Sequence, residues 1–207
     1  MRPTWPLTSP SPITKEGGVL LRRTILLVAS ITLTLVLAGG VALPATVNCV
    51  AGADCVGTPN PDTINGSAEA DNMFGRAGAD TVKGNEGGDY LQGDRGGDDL
   101  GGGDGQDSLW GGSLLEVGPL DRSSDVVHGG LERDYIYSGF AQGGVDHVFG
   151  DRGNDTVEAE KAYGYPKTKD VVDCGKGKND TVYFDKGLDE VKNCEHRHPD
   201  QKPPPMM

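Results

Sequence analysis

The sequence predicts an all-β solenoid, a coil of short parallel strands. Three observations lead there. The stretch from Gly75 to Gly111 repeats every nine residues. Each unit carries glycine at its first and fourth places, aspartate at its sixth and an apolar residue at its eighth. The composition also leaves little for a large globular core, with 33 glycines in 207 residues, hydrophobics at 35% and aromatics at 6%.

The units are explicit in the chain. Gly75, Gly84, Gly93 and Gly102 open them, and Gly78, Gly87, Gly96 and Gly105 follow three residues later. Asp80, Asp89, Asp98 and Asp107 come next, and Val82, Leu91, Leu100 and Leu109 two residues after those. The first six places are turn chemistry, because glycine reaches positive φ freely and aspartate accepts tight bends. The last three suit a short strand with one side chain turned inward. A single unit buries nothing, whereas stacked units align their apolar residues into one inner column. Stacking also brings carboxylates together on the outside of the coil, where they repel unless a cation lies between them. Calcium suits that role, since it takes six to eight oxygens and the eight loop glycines offer carbonyls beside the carboxylates.

The repeat, written G-x-x-G-x-D-x-U-x, resembles that of the hemolysin-type calcium-binding (RTX) nonapeptide proteins. The resemblance implies a parallel β-roll with two nonapeptides per turn and Ca2+ between turns on each edge. Residues eighteen apart then stack. One edge carries Asp62, Asp80 and Asp98, the other Asp71, Asp89 and Asp107, with Asp155 as a later ligand.

The elements follow in order. Residues 1–45 read as an export region: Arg22 and Arg23 precede an apolar run, Ile25 to Ala38, and small residues that place cleavage near Ala42 or Ala45. The proline-rich start fits a signal poorly, and a true start near Val19 would account for it. The run is short for a membrane span, so none is expected after cleavage. Residues 46–56 form a lead-in braced by Cys49 and Cys55, as an even cysteine count in an exported chain implies. Residues 57–138 are the regular roll. Its first two units keep Asp62 with Ile64 and Asp71 with Met73, but lose the fourth-place glycine to Asn60 and Glu69. Counting on in nines from Asp107 reaches Glu116, Asp125 and Asp134, so the unit at Glu116 reads as a degenerate rung with Gly118 in its apolar slot.

Residues 139–194 hold decayed units at Asp146, Asp155, Asp170, Asp180 and Asp189, each with valine two places on. Glu158 to Lys169 reads as an inserted loop whose Tyr163 and Tyr165 are packing residues; a carbohydrate-stacking surface is the rival view. Cys174 and Cys194 lie close to one eighteen-residue turn apart. Rungs at strand spacing, about 4.8 Å, suit a disulfide's Cα separation of roughly 4.4–6.8 Å, so this pair staples the last turns. Residues 195–207, with His196 and His198, read as a disordered tail.

The net charge of −12, with no basic patch, argues against a nucleic-acid partner. No P-loop, EF-hand or nucleophile motif accompanies the repeats, so no enzyme is expected. The functional expectation is a secreted calcium-binding protein that folds on its ion. The alternatives are an accessory or remnant module of a secreted hydrolase or toxin, or a cell-surface adhesion spacer.

Overall fold

The computed structural model describes residues 43–112, 122–138, 144–159 and 168–201, all within one compact unit, Ile31–Met207. The export run, Glu116, Gly118, Tyr163 and Tyr165 lie outside those residues. The strands are β1 (Ala45–Asn48), β2 (Cys55–Val56), β3 (Asp62–Asn65), β4 (Asn72–Ala77), β5 (Thr81–Glu86), β6 (Tyr90–Arg95), β7 (Asp99–Asp104) and β8 (Ser108–Gly112). They continue as β9 (Val126–Leu131), β10 (Tyr135–Tyr137), β11 (His147–Arg152), β12 (Thr156–Glu158), β13 (Val171–Asp173), β14 (Thr181–Phe184), β15 (Glu190–Lys192) and β16 (His196–Pro199).

Odd strands form one parallel eight-stranded sheet in chain order, and even strands form the other. The chain therefore crosses from sheet to sheet at every turn, as the solenoid expectation requires. No helix among the described residues is long and apolar enough to cross a membrane.

The eighth-place residues build the core. Ile64, Met73, Val82, Leu91, Leu100, Leu109, Val127, Ile136, Val148, Val157, Val172 and Val182 are all fully buried between the sheets. One residue per rung suffices, because each strand sends alternate side chains inward and the next rung covers them. At the two ends, where a rung has one neighbour only, disulfides join Cys49 to Cys55 and Cys174 to Cys194, with Cα atoms 5.5 and 5.2 Å apart. Both cysteine pairings expected from the sequence are present.

Two expectations are corrected. No rung stands where counting in nines from Asp107 puts one: strand β7 pairs directly with β9, with Asp99 opposite Val126, and Glu116 itself lies outside the described residues. Residues 196–199 are not disordered: they form β16, paired with β14 from His196 opposite Thr181 to Pro199 opposite Phe184. The exposed edge of β14 and the backbone of these residues satisfy each other, which outweighs their polar composition.

The turns on the two flanks differ. Those running from odd to even strands keep one length from β3 to β12: Gly66–Asp71, Gly84–Asp89, Gly102–Asp107, Gly129–Asp134 and Gly150–Asp155 are each five residues apart, and the next, Cys174–Asp180, is six. Those running from even to odd start the same way, with Gly57–Asp62, Gly75–Asp80 and Gly93–Asp98, and then lengthen at Gly111–Asp125, Ser138–Asp146 and Ala159–Asp170.

Candidate metal centre

Each turn ends on an acid that enters the next strand, and these acids stand in two files. The sequence places them on the outside of the coil; the structure buries them. Asp62, Asp71, Asp80, Asp89, Asp98, Asp107 and Asp155 are all at most 4% exposed. The reason is a hydrogen bond between rungs. The backbone N–H of Asp62 donates to Asp80 Oδ1, that of Asp80 to Asp98 Oδ1, and that of Asp71 to Asp89 Oδ1, each at 2.8 Å. Asp89 donates likewise to Asp107 at 2.8 Å. A carboxylate accepting a main-chain N–H makes a strong bond, and it draws the side chain under the rung before it.

The files run on beyond the residues read as ligands. On one flank Asp98 donates to Asp125, Asp125 to Asp146, Asp146 to Asp170 and Asp170 to Asp189. On the other, Asp107 donates to Asp134, Asp134 to Asp155, Asp155 to Asp180 and Asp180 to Glu195. Asp134 was open to recognition in the sequence, because Gly129 lies five residues ahead of it as Gly102 does of Asp107.

From Asp80 and Asp89 onward, one oxygen of each carboxylate is thus spent on the ladder, whereas at the first rungs Oδ2 of Asp62 and of Asp71 accepts the N–H of Thr58 and of Ser67 within its own turn. Oδ2 of Asp80, Asp89, Asp107, Asp134, Asp155 and Asp180 is buried without a hydrogen-bond partner. A buried anion with an unmet oxygen is costly. Desolvation accordingly pushes the Asp80, Asp107 and Asp155 carboxyls up to about 6 and Asp134 up to about 8, against the opposing pull of the backbone N–H each accepts. Asp89 and Asp180 are raised for the same first cause.

The unmet oxygens face a cradle made by first-place glycines. A Cβ on Gly75 would lie 2.6 Å from both Asp80 Oδ2 and Gly93 O, and one on Gly84 2.3 Å from Asp89 Oδ2 and 2.2 Å from Gly102 O. On Gly93 it would meet Asp98 Oδ2 at 2.4 Å and Gly111 O at 2.6 Å. So a carboxylate oxygen and the carbonyl of the following rung converge on each of these glycines. The fourth-place glycines hold the bend: Gly78, Gly87, Gly96 and Gly105 have φ between 121° and 136°. A Cβ on Gly96 would fall 1.4 Å from Gly78 O, which no side chain survives. Gly78 N–H and Gly87 N–H donate to Arg95 O and Asp104 O of the next rung.

This donor set is hard oxygen, half carboxylate and half carbonyl, which fits calcium and no soft metal. Among the described residues no three of His, Cys, Asp and Glu converge on one point. Any ion in these cradles is therefore completed by main-chain carbonyls rather than by a cage of acidic side chains.

Comparison with known families gives one match. A model of the RTX calcium-binding nonapeptide repeat matches in four copies, over residues 56–91, 83–113 and 121–157. No curated protein matches the chain.

Proposed function

Over residues 56–113 and 121–157 the chain belongs to the RTX calcium-binding nonapeptide repeat family, and from that premise we propose that it is a secreted protein whose coil orders on binding Ca2+. The observation that carries this reading is the row of buried, unpartnered Oδ2 atoms of Asp80, Asp89, Asp107 and Asp134, each set beside a glycine carbonyl of the next rung. The ion supplies the positive charge those oxygens lack. The chain supplies everything else. Asp62, Asp80 and Asp98 offer carboxylates on one flank, and Asp71, Asp89, Asp107 and Asp155 on the other. Carbonyls of Gly75, Gly78, Gly84, Gly87, Gly93, Gly96, Gly102 and Gly105 surround them. Glycine at the first place keeps the cradle open, and the Oδ1 ladder fixes each carboxylate's rotation in advance.

Without the ion, the same files hold desolvated acids one rung apart, and the glycine-rich turns lose much chain entropy on ordering. An ion that binds only the ordered coil shifts the balance toward it. Secretion fits this scheme, because a chain loose in low calcium orders only once outside. The two disulfides and the basic-then-apolar segment within residues 1–45 support that placement. The proposed role is binding and structural, with no catalytic residue. Far-ultraviolet circular dichroism in excess calcium and in excess chelator tests the reading. A β-sheet signal that survives chelation unchanged overturns it.

A further inference from the structure

The outer face of the even-numbered sheet carries a row of aromatic rings and, from β4 to β10, no charge. In each of these strands the seventh and ninth places flank the buried core residue and point outward. Strand pairing sets them in two columns. One holds Asn72, Tyr90, Ser108 and Tyr135, the other Phe74, Gln92, Trp110 and Tyr137. None of these is charged, in a chain where charged residues make up 24%. Glu158 of β12 ends the uncharged run. The odd-numbered sheet differs, since Lys83 and Asp99 stand exposed on its outer face. The rings alternate between the columns: Phe74 stands in one, Tyr90 on the next rung in the other, then Trp110, then Tyr135. Their centroids are 5.8, 6.5 and 6.2 Å apart in that order. Tyr137 packs on Trp110 at 4.8 Å, and the pair is 4% and 9% exposed. It braces the row, while Phe74, Tyr90 and Tyr135 are only half-buried. The Tyr90 hydroxyl donates to Gln92 Oε1 at 3.0 Å, and Gln92 Nε2 donates to Asp94 Oδ1 at the edge of the face. The Tyr90 ring is thereby held in one orientation.

We infer that this face binds a neutral β-1,4-linked polysaccharide, laid along the coil over Phe74, Tyr90, the rim of Trp110 and Tyr135. A surface that repeats by translation fits a partner that does the same. The rungs advance by about 4.8 Å, close to the ~5 Å that each sugar adds to such a chain. A β-1,4 linkage turns each sugar over relative to the last, and the rings change column at each rung. Aromatic faces take the C–H face of a pyranose, and the amides and hydroxyl of Asn72, Gln92 and Ser108 suit its hydroxyls. The absence of charge favours a neutral sugar, because a net charge of −12 repels an anionic one. A protein partner would want its anchors gathered in one central cluster, whereas these rings are spread one to a rung. The inference uses none of the acids in the two files and needs only the ordered coil.

Titration calorimetry of the full chain with cellohexaose, in excess calcium, tests the inference. Maltohexaose and hexagalacturonate serve as the α-linked and the anionic comparisons. Cellohexaose should bind, and the other two should bind weaker by about tenfold or more. Tyr90→Ala and Tyr135→Ala should each weaken cellohexaose by about three- to tenfold, the scale of one lost ring contact. Phe149→Ala, which removes a ring stacked on His128 in the other sheet, should leave its affinity unchanged. Circular dichroism in excess calcium checks the fold of each variant. Should Tyr90→Ala fail to fold, Tyr90→Leu keeps the bulk without the flat ring and must show the same loss. A chain that binds calcium and no cellohexaose removes this inference and leaves the function proposed above. A chain that binds cellohexaose with no need of calcium removes that function alone. Unchanged affinity in both tyrosine variants, or equal affinity for all three sugars, overturns the inference. So does a dimer in sedimentation that Tyr135→Ala dissociates while the wild type ignores cellohexaose, because the face is then an interface between two copies.

Discussion

Two adjacent glycines in β7 separate the cradle from the strand that carries it. Gly101 has open space where a Cβ would go, with nothing within 4 Å, whereas on Gly102 the Cβ would meet Asp107 Oδ2 at 2.3 Å and Gly129 O at 2.4 Å. Ordinary contact lies near 3.5 Å, so alanine at Gly102 must displace oxygens by about 1 Å. One of those oxygens is main chain and part of the next rung. Overpacking of this kind costs about 2–3 kcal/mol. Gly101→Ala, by contrast, restricts the unfolded chain and should add about 0.5–1 kcal/mol. The two variants differ by one position and by about 3 kcal/mol, or roughly 6–12 °C in Tm for a domain of this size. Urea and thermal unfolding in saturating calcium measure the gap. The same preparations should show weakened calcium binding for Gly102→Ala alone. Equal midpoints for the two variants would refute the cradle, and with it the reason glycine occupies the first place.

Other outcomes follow from the same geometry. In chelator, stability should fall as pH rises. The folded carboxyls of Asp80, Asp107 and Asp155 sit at about 6 and Asp134 at about 8, above the 3.8 of the free side chain, so the folded state holds more protons in between. Urea midpoints of the metal-free chain should drop from pH 5 to pH 8, and excess calcium should flatten that slope. Arg76 is exposed and has φ of 82°, so Arg76→Gly should stabilise by about 0.5–1 kcal/mol in urea unfolding. Asn85, at φ of 78°, gives its side-chain amide to Gly66 O, so Asn85→Gly should gain less. Replacing Cys174 and Cys194 by serine opens a link across twenty residues. The loss should be about 3 kcal/mol, seen as earlier proteolysis at the C-terminal rungs.

Much of this was legible in the sequence because the nine-residue period becomes a spatial period. Wherever both turns are five residues long, aspartates eighteen apart stack, and Asp62–Asp80 and Asp71–Asp89 do so. The period also hid one thing. Gly111 to Asp125 spans fourteen residues, nine more than Gly102 to Asp107. An insertion one unit long preserves the phase, so counting between aspartates turns it into a rung at Glu116. Counting from each glycine forward to its aspartate would have exposed it, since Asp125 has Leu120 five places earlier. Burial of the acids was hidden for a different reason. Composition shows that aspartate carries charge, but not that its oxygen will be claimed by the amide one rung away. The strand at His196 escaped notice because its partner, β14, creates the preference; nothing in His-Arg-His-Pro asks for a strand.

Neighbour-only bonding has a mechanical side. The Oδ1 ladder and the contacts along the inner column join one level of the coil to the next and reach no further. Tension applied at the two extremities finds no long lever and no block to rupture at once. It meets a series of small latches, released in order from whichever extremity opens first. The sulfur clasps sit at those extremities, where peeling must begin.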